Sequence, residues 1–281
     1  NRFHVGMTAL ANNYSTPLQP YPSEGGDSYL YKMFYASGKQ FWNASVEYGY
    51  KHGKLLRFAG ETAIGDCRHV ATINTLSISP TRQLTVMVVQ RYYPYRFYAT
   101  MGNSFSEGGA NQNENGVYLG VNWNPNSRLS VVGYSDFAYF AWPKYQALGS
   151  SRSIDNLVQA SYKLSSRSSL TASYRLKCRE KNGEENVGLI YKNEHRGRLT
   201  YNHRWNSWNL KAQADFACCK YKKTDFGGML SSNVTYAMKA VKAGIGCGAF
   251  LTDSYDARVY AYEQTTPYNL YFPSFYGQGC R

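Results

Sequence analysis

Residues 158–179 read VQASYKLSSRSSLTASYRLKCR. Val158, Ala160, Tyr162 and Leu164 alternate with Gln159, Ser161, Lys163 and Ser165. After a turn at Ser165 to Ser168, Leu170, Ala172, Tyr174, Leu176 and Cys178 alternate with Thr171, Ser173, Arg175, Lys177 and Arg179. Successive side chains of a strand point to opposite faces, so this period of two predicts a hairpin with one apolar and one basic face.

The same pattern extends outward in both directions. Upstream, Val117, Leu119, Val121 and Trp123 alternate with Tyr118, Gly120, Asn122 and Asn124 before a turn at Pro125 to Ser127, and another strand is expected over Arg128 to Phe140. Trp42, Ala44, Val46, Tyr48 and Tyr50 form such a row near the start, and Leu84, Val86 and Val88 follow the Pro80 turn. Downstream, Leu210 to Cys218 alternates after a turn at Asn206 to Trp208, and a strand is expected from Val241. About 14 to 16 segments of roughly 8 to 12 residues result, the length a tilted strand needs to cross a bilayer. The expected fold is all-β: an antiparallel up-and-down transmembrane β-barrel, or an arc of a larger one, over residues 1–281 as a single domain. No segment carries helical periodicity.

Composition agrees with strands rather than spanning helices. Of 281 residues 43% are hydrophobic, yet aromatic residues reach 16% and Tyr alone numbers 27. With a mean hydropathy of -0.51, the apolar surface rests largely on amphipathic rings suited to the two boundaries between water and hydrocarbon. The longest strongly apolar runs, such as Val86 to Val89, fall far short of the roughly 20 residues that a spanning helix requires. A soluble β-sandwich also alternates short strands and turns, but segment length, segment number and the rows of small Ala with boundary Tyr favour lipid contact.

Short connections are expected at Pro80 to Arg82, Pro125 to Ser127, Ser165 to Ser168 and Asn206 to Trp208, and long ones at Ala11 to Asp27, Tyr92 to Gly116, Pro143 to Asp155 and Tyr221 to Gly228. Tight turns at one rim and long loops at the other are a mark of such barrels. The sequence starts at Asn1 and ends in Gly279-Cys280-Arg281 without an aromatic-ended final strand. It reads as a fragment lacking terminal strands and upstream modules.

No catalytic frame stands out, and no enzymatic activity, cofactor or metal is expected. His4, His52, His69, His195 and His203 form no HExxH pair, and Cys67, Cys178, Cys218, Cys219, Cys247 and Cys280 show no zinc-type spacing. Gly244 to Gly248 has the look of a phosphate loop, but it lies inside an alternating strand where small residues facing a crowded space explain it better. Asp253 and Asp256 suit turn capping better than calcium binding or acid-base work.

Lys plus Arg number 31 against 18 Asp plus Glu, a net charge of +13, which favours anionic partners such as nucleic acid, lipid phosphates or acidic glycans. Lys163, Arg175, Lys177, Arg179, Arg198, Arg204, Lys211, Lys239 and Lys242 all take the polar parity of their strands. Charge is costly against lipid and tolerable in a wet lumen. The row is therefore a candidate contact for nucleic acid or another polyanion; the plainer reading is that it hydrates a pore and pairs with acidic groups.

Arg2 to Gly6, Leu84 to Tyr93 (LTVMVVQRYY), Asn113 to Gly120 (NENGVYLG), Phe137 to Tyr145 (FAYFAWPKY) and Thr252 to Arg281 resemble the C-terminal barrel region of large outer-membrane proteins of Bacteroidetes that carry ComEA-like helix-hairpin-helix modules. The resemblance implies location in the cell outer membrane. It also implies a channel or anchor linked to nucleic-acid binding or uptake, although the DNA-binding modules themselves are absent from this sequence. A general solute porin or a structural scaffold is the alternative. Implied partners are outer-membrane lipid and lipopolysaccharide, DNA, and other outer-membrane proteins.

Overall fold

The computed structural model describes residues 2–20, 26–186, 188–238, 242–261 and 273–281. Its strands are β1 (Arg2–Leu18), β2 (Gly38–His52), β3 (Leu56–Gly65), β4 (Val70–Ile78), β5 (Leu84–Tyr93), β6 (Glu114–Trp123), β7 (Leu129–Phe140), β8 (Ser151–Lys163), β9 (Ser168–Asn182), β10 (Leu189–Trp205), β11 (Trp208–Lys220), β12 (Thr224–Ala237), β13 (Lys242–Thr252), β14 (Val259–Tyr260), β15 (Ser274–Phe275) and β16 (Gln278–Cys280). Fourteen of them form one sheet in the order β1 through β13 followed by β16, while β14 pairs with β15. Each of β1 to β13 lies beside its sequence neighbours, the up-and-down all-β order expected from the alternation. Among the described residues, β1 is not paired with β16.

Two compact units divide the chain: Asn1–Val121 with Tyr134–Asp155 and Arg179–Tyr191, and Asn122–Gly133 with Asn156–Cys178 and Lys192–Arg281. In the first unit the register places Met7, Val46, Thr62, Thr72 and Tyr92 in one cross-strand row and Gly6, Glu47, Glu61, Ile73 and Arg91 in the next. In the second, Leu199, Ala214, Leu230 and Ala249 form one row, and Arg198, Asp215, Met229 and Phe250 the next. Facing residues of paired strands share a side, so each unit presents an apolar face and a charged face.

The apolar faces are the exposed ones. Met7 is 83% exposed, Leu230 68% and Ile245 75%, and rows of such side chains make the kind of broad apolar surface that a monomer folded in water rarely exposes. Small buried clusters lie on the opposite faces instead. Ala71, Tyr93 and Phe97 pack together in the first unit, and Ala217, Met229, Val259, Ala261 and Phe275 in the second.

Five connections, 53–55, 79–83, 124–128, 164–167 and 206–207, are short and all join an even strand to the following odd one. Local chemistry closes them. Asn126 Oδ1 accepts from the Arg128 and Leu129 amides at 2.8 and 2.9 Å, Ser165 Oγ accepts from Arg167 and Ser168 at 3.1 and 3.0 Å, and Asn206 adopts a φ of 47°. The longest connections, 19–37, 94–113, 141–150 and 253–277, all follow odd strands. The longest loops thus fall at one set of strand ends, as expected, although two short connections, 66–69 after β3 and 221–223 after β11, fall at those ends too.

Several boundaries differ from expectation. β1 continues through Leu18, with Asn12 and Asn13 still paired to Phe41 and Gln40, so the first long loop begins later than Ala11. A short helix, α1 (Gly26–Lys32), follows within it. The stretch Tyr221 to Gly228 is not a long loop, because β12 already starts at Thr224. Gly227 serves contact rather than turning: a Cβ there would lie 2.1 Å from the Ala257 carbonyl oxygen. The expected strand start at Val241 lies outside the described residues.

Candidate functional site

Alternation places the second unit's predicted cations on the charged face. Lys211 of β11 lies opposite Asn202 and Asn233, and Lys242 of β13 opposite Ala237. On the β8–β9 hairpin, Ser161 Oγ and Thr171 Oγ1 are 3.0 Å apart, and Lys163, Arg175 and Lys177 share their parity. Lys163, Arg198, Arg204 and Lys242 are exposed, while Arg175, Lys177 and Lys211 are half-buried. Arg179 continues the β9 parity but belongs to the first unit, and Lys239 lies outside the described residues.

Not all of this row is available to a ligand. Arg198 Nε donates to Asp215 Oδ1 at 2.6 Å and its Nη2 to the Tyr260 carbonyl at 3.2 Å. Arg196, which the sequence reading passed over, donates to the Arg258 carbonyl at 3.0 Å. These two arginines hold the 258–260 backbone on the charged face and supply much of what its carbonyls need. Lys192 pairs with Asp256 and lies 3.5 Å from Glu194. Asp256 is therefore an ion-pair partner, whereas Asp253 Oδ2 caps the Phe226 amide at 2.8 Å, the turn role expected of it.

The glycine run of β13 lies in this crowded space. A Cβ on Gly246 would meet Asn233 Oδ1 at 2.4 Å, and one on Gly248 would meet Met229 Cε at 2.8 Å. His203 Nδ1 lies 2.7 Å from Ser168 Oγ and His195 Nδ1 2.6 Å from Tyr174 OH, both on the apolar face. His203 also stacks on Tyr201 and Trp205, and no acidic partner of it appears among the described residues. No group of three metal-ligating side chains occurs among them either.

The first unit holds a second polar centre that the sequence reading missed. Arg91, Glu114 and Asp136 are almost fully buried on the charged face. Arg91 Nε donates to Glu114 Oε1, and its Nη1 lies 2.8 Å from Asp136 Oδ1. The latter contact is angled away from hydrogen-bond geometry, since neither atom has a hydrogen-bond partner, and we read it as an ion pair. The guanidinium also lies 5.1 Å from the Phe105 ring. Parity could have revealed the cluster, because Arg91 follows Met87 and Val89 rather than Val86 and Val88.

Glu114 connects this charge cluster to loop 94–113. Its two carboxylate oxygens accept from the Glu107 and Gly108 amides at 2.8 and 2.7 Å. Ser153 Oγ donates to Glu107 Oε1 at 2.9 Å, and Tyr93 OH lies 2.6 Å from Ser104 Oγ. The loop is thereby drawn onto the charged face. Farther along, Asn113 exchanges two 2.8 Å bonds with Trp142, Gln112 Nε2 donates to the Phe34 and Tyr95 carbonyls, and Tyr95 stacks on Trp142 at 5.1 Å. Three long connections of this unit are thus tied together.

Lys144, beyond the end of β7, sits with its Nζ 3.0 Å from the Phe140 ring centroid. Burial pushes its amine down to about 8, because an ammonium loses hydration there. Tyr98 OH donates to Asp66 Oδ2 at 2.8 Å, and burial, with that carboxylate beside it, pushes the phenol up.

No family model matches this sequence and no curated protein matches it. Among solved structures it is similar to the NanC porin at 13% identity, with a TM-score of 0.34, covering 63% of this chain and 81% of that one. It is also similar to the outer membrane channel DcaP of Acinetobacter baumannii at 8% identity, with a TM-score of 0.44, covering 89% and 90%.

Proposed function

We propose that this chain spans the bacterial outer membrane through its strands and forms a non-enzymatic channel or anchor whose charged face draws anions. The observation that carries the reading is the reversal of faces: in each unit large apolar side chains stand exposed on one face, and in the second unit Lys and Arg collect on the other. Lipid and the apolar part of lipopolysaccharide would cover the first and water would wet the second. On the resemblance to the barrels of Bacteroidetes proteins with ComEA-like modules, the anion is DNA. Lys163, Arg175, Lys177, Arg179, Arg198, Arg204, Lys211 and Lys242 would then supply nonspecific phosphate attraction. Lys239 belongs to the same sequence row.

The test is binding, or block of conductance, by single-stranded and duplex DNA across a salt series. Wild type is compared with a variant carrying Arg175→Gln, Lys177→Gln and Arg179→Gln. DNA contact by this row predicts weaker affinity and a shallower salt slope in the variant, since each phosphate neutralised releases counterions. Equal affinity and slope would leave a general solute porin or scaffold. Failure of the chain to insert into outer-membrane lipid would remove the channel reading altogether.

A further inference from the structure

We propose that a cavity of about 220 Å³ in the first unit binds a small organic cation, an amine or guanidine that carries an apolar group. Its floor is hydrocarbon: Ala71, Tyr93 and Phe97 form a buried cluster against which Ala63 and Ile73 pack, and all five residues line the cavity. Tyr93 contributes its ring rather than its polar tip, because the hydroxyl is already engaged by Ser104 Oγ and by the Phe105 carbonyl at 3.0 Å.

Among the described residues, Glu61 is the only charged side chain lining the cavity. Its cross-strand neighbours are Ile73 on β4 and Glu47 on β2. Glu47 has His4 Nε2 at 3.8 Å, while no cationic side chain among the described residues lies within ion-pair distance of Glu61. Two carboxylates side by side repel, and a cation between them removes that cost. The lining adds only neutral groups to that one carboxylate, among them Thr8, Asn43, Ser45 and Asn111, a low charge count for a calcium ion, which takes six to eight oxygens and is held more tightly as ligand charge rises. The aromatic rings of Tyr93 and Phe97 in the lining also suit an organic cation. The ligand is thus opposite in sign to the anions favoured by the cationic row, and the inference holds whether or not that row conducts them.

Titration of the full chain in detergent micelles with 2-phenylethylamine, 2-phenylethanol and phenylacetate tests this. The amine is expected to bind saturably and more tightly than the other two, and Glu61→Gln to weaken it about tenfold, the loss typical of a hydrogen bond to a charged group, while leaving the alcohol unchanged. Ala71→Leu, which fills the floor, should abolish amine binding; Glu61→Lys, at an exposed position, should reverse the preference toward phenylacetate. Equal affinities for amine and alcohol, no saturable amine binding, or amine affinity unchanged by Glu61→Gln in a variant with wild-type circular dichroism would overturn the proposal.

Discussion

Arg91 and Glu114 form an ion pair in which neither side chain is reached by solvent, and the same carboxylate holds two backbone amides of loop 94–113. Ionising a buried pair is expensive, but removing one partner alone is more so. Arg91→Met strands Glu114 and Asp136 without their cation and should destabilise the fold by about 3–5 kcal/mol. The triple change Arg91→Met, Glu114→Gln, Asp136→Asn should cost less than the single one. Urea unfolding of refolded protein measures both; a single variant as stable as wild type would refute the role given to the pair.

Lys144 gives a pH dependence of definite sign. Its amine titrates at about 8 in the folded protein against an ordinary 10.5, so between those values the unfolded chain binds more protons. Stability should therefore rise through this window and carry the full burial penalty below about pH 8. Unfolding midpoints followed from about pH 7 to 11 should rise more in wild type than in Lys144→Met. Parallel curves for the two proteins would contradict the assignment.

Leu230 stands 68% exposed on β12 between Ala214 and Ala249. If lipid covers that face, Leu230→Arg should cost about 2–4 kcal/mol in bilayers, and Ser231→Arg, at the opposite parity, much less. Matched losses would indicate that the two faces meet the same solvent.

The apolar face of the first unit carries a polar chain. Tyr48 OH donates to Asn74 Oδ1 at 2.8 Å, and Asn74 Nδ2 donates to Gln90 Oε1 at 2.9 Å and Thr72 Oγ1 at 3.2 Å. Each group satisfies another, as it would need to if lipid covered that side. Asn74→Leu leaves Tyr48 and Gln90 without these partners and should destabilise by about 1–3 kcal/mol, although leucine is the more apolar residue. A gain in stability would show that the chain contributes nothing.

Strand parity was legible because both faces are constrained, one by apolar contact and the other by charge. Val158 to Leu164 and Leu170 to Cys178 therefore assign every side chain between them. Loop boundaries were harder, since composition does not separate a glycine that turns from one that admits a neighbour, as at Gly227. The Arg91 cluster was half legible: parity places it, but its burial depends on a loop folding back from residues 94–113. Contacts such as Gln112 to Phe34 leave no local trace. The cationic row was visible as a row, while the use of Arg198 to hold backbone was not.

The two-residue connection at Asn206 and Ser207 gives the sheet something like a reading frame. Trp205 faces Trp208 directly across it, and from there every second residue belongs to one side. One residue inserted within β11 would turn the remainder of that strand inside out, carrying Asp215 toward the side of Leu230 and Phe216 toward that of Met229. The same insertion in loop 141–150 would shift no phase. Gaps among relatives of this chain should therefore accumulate in connections that follow odd strands, and those falling within strands should come in pairs.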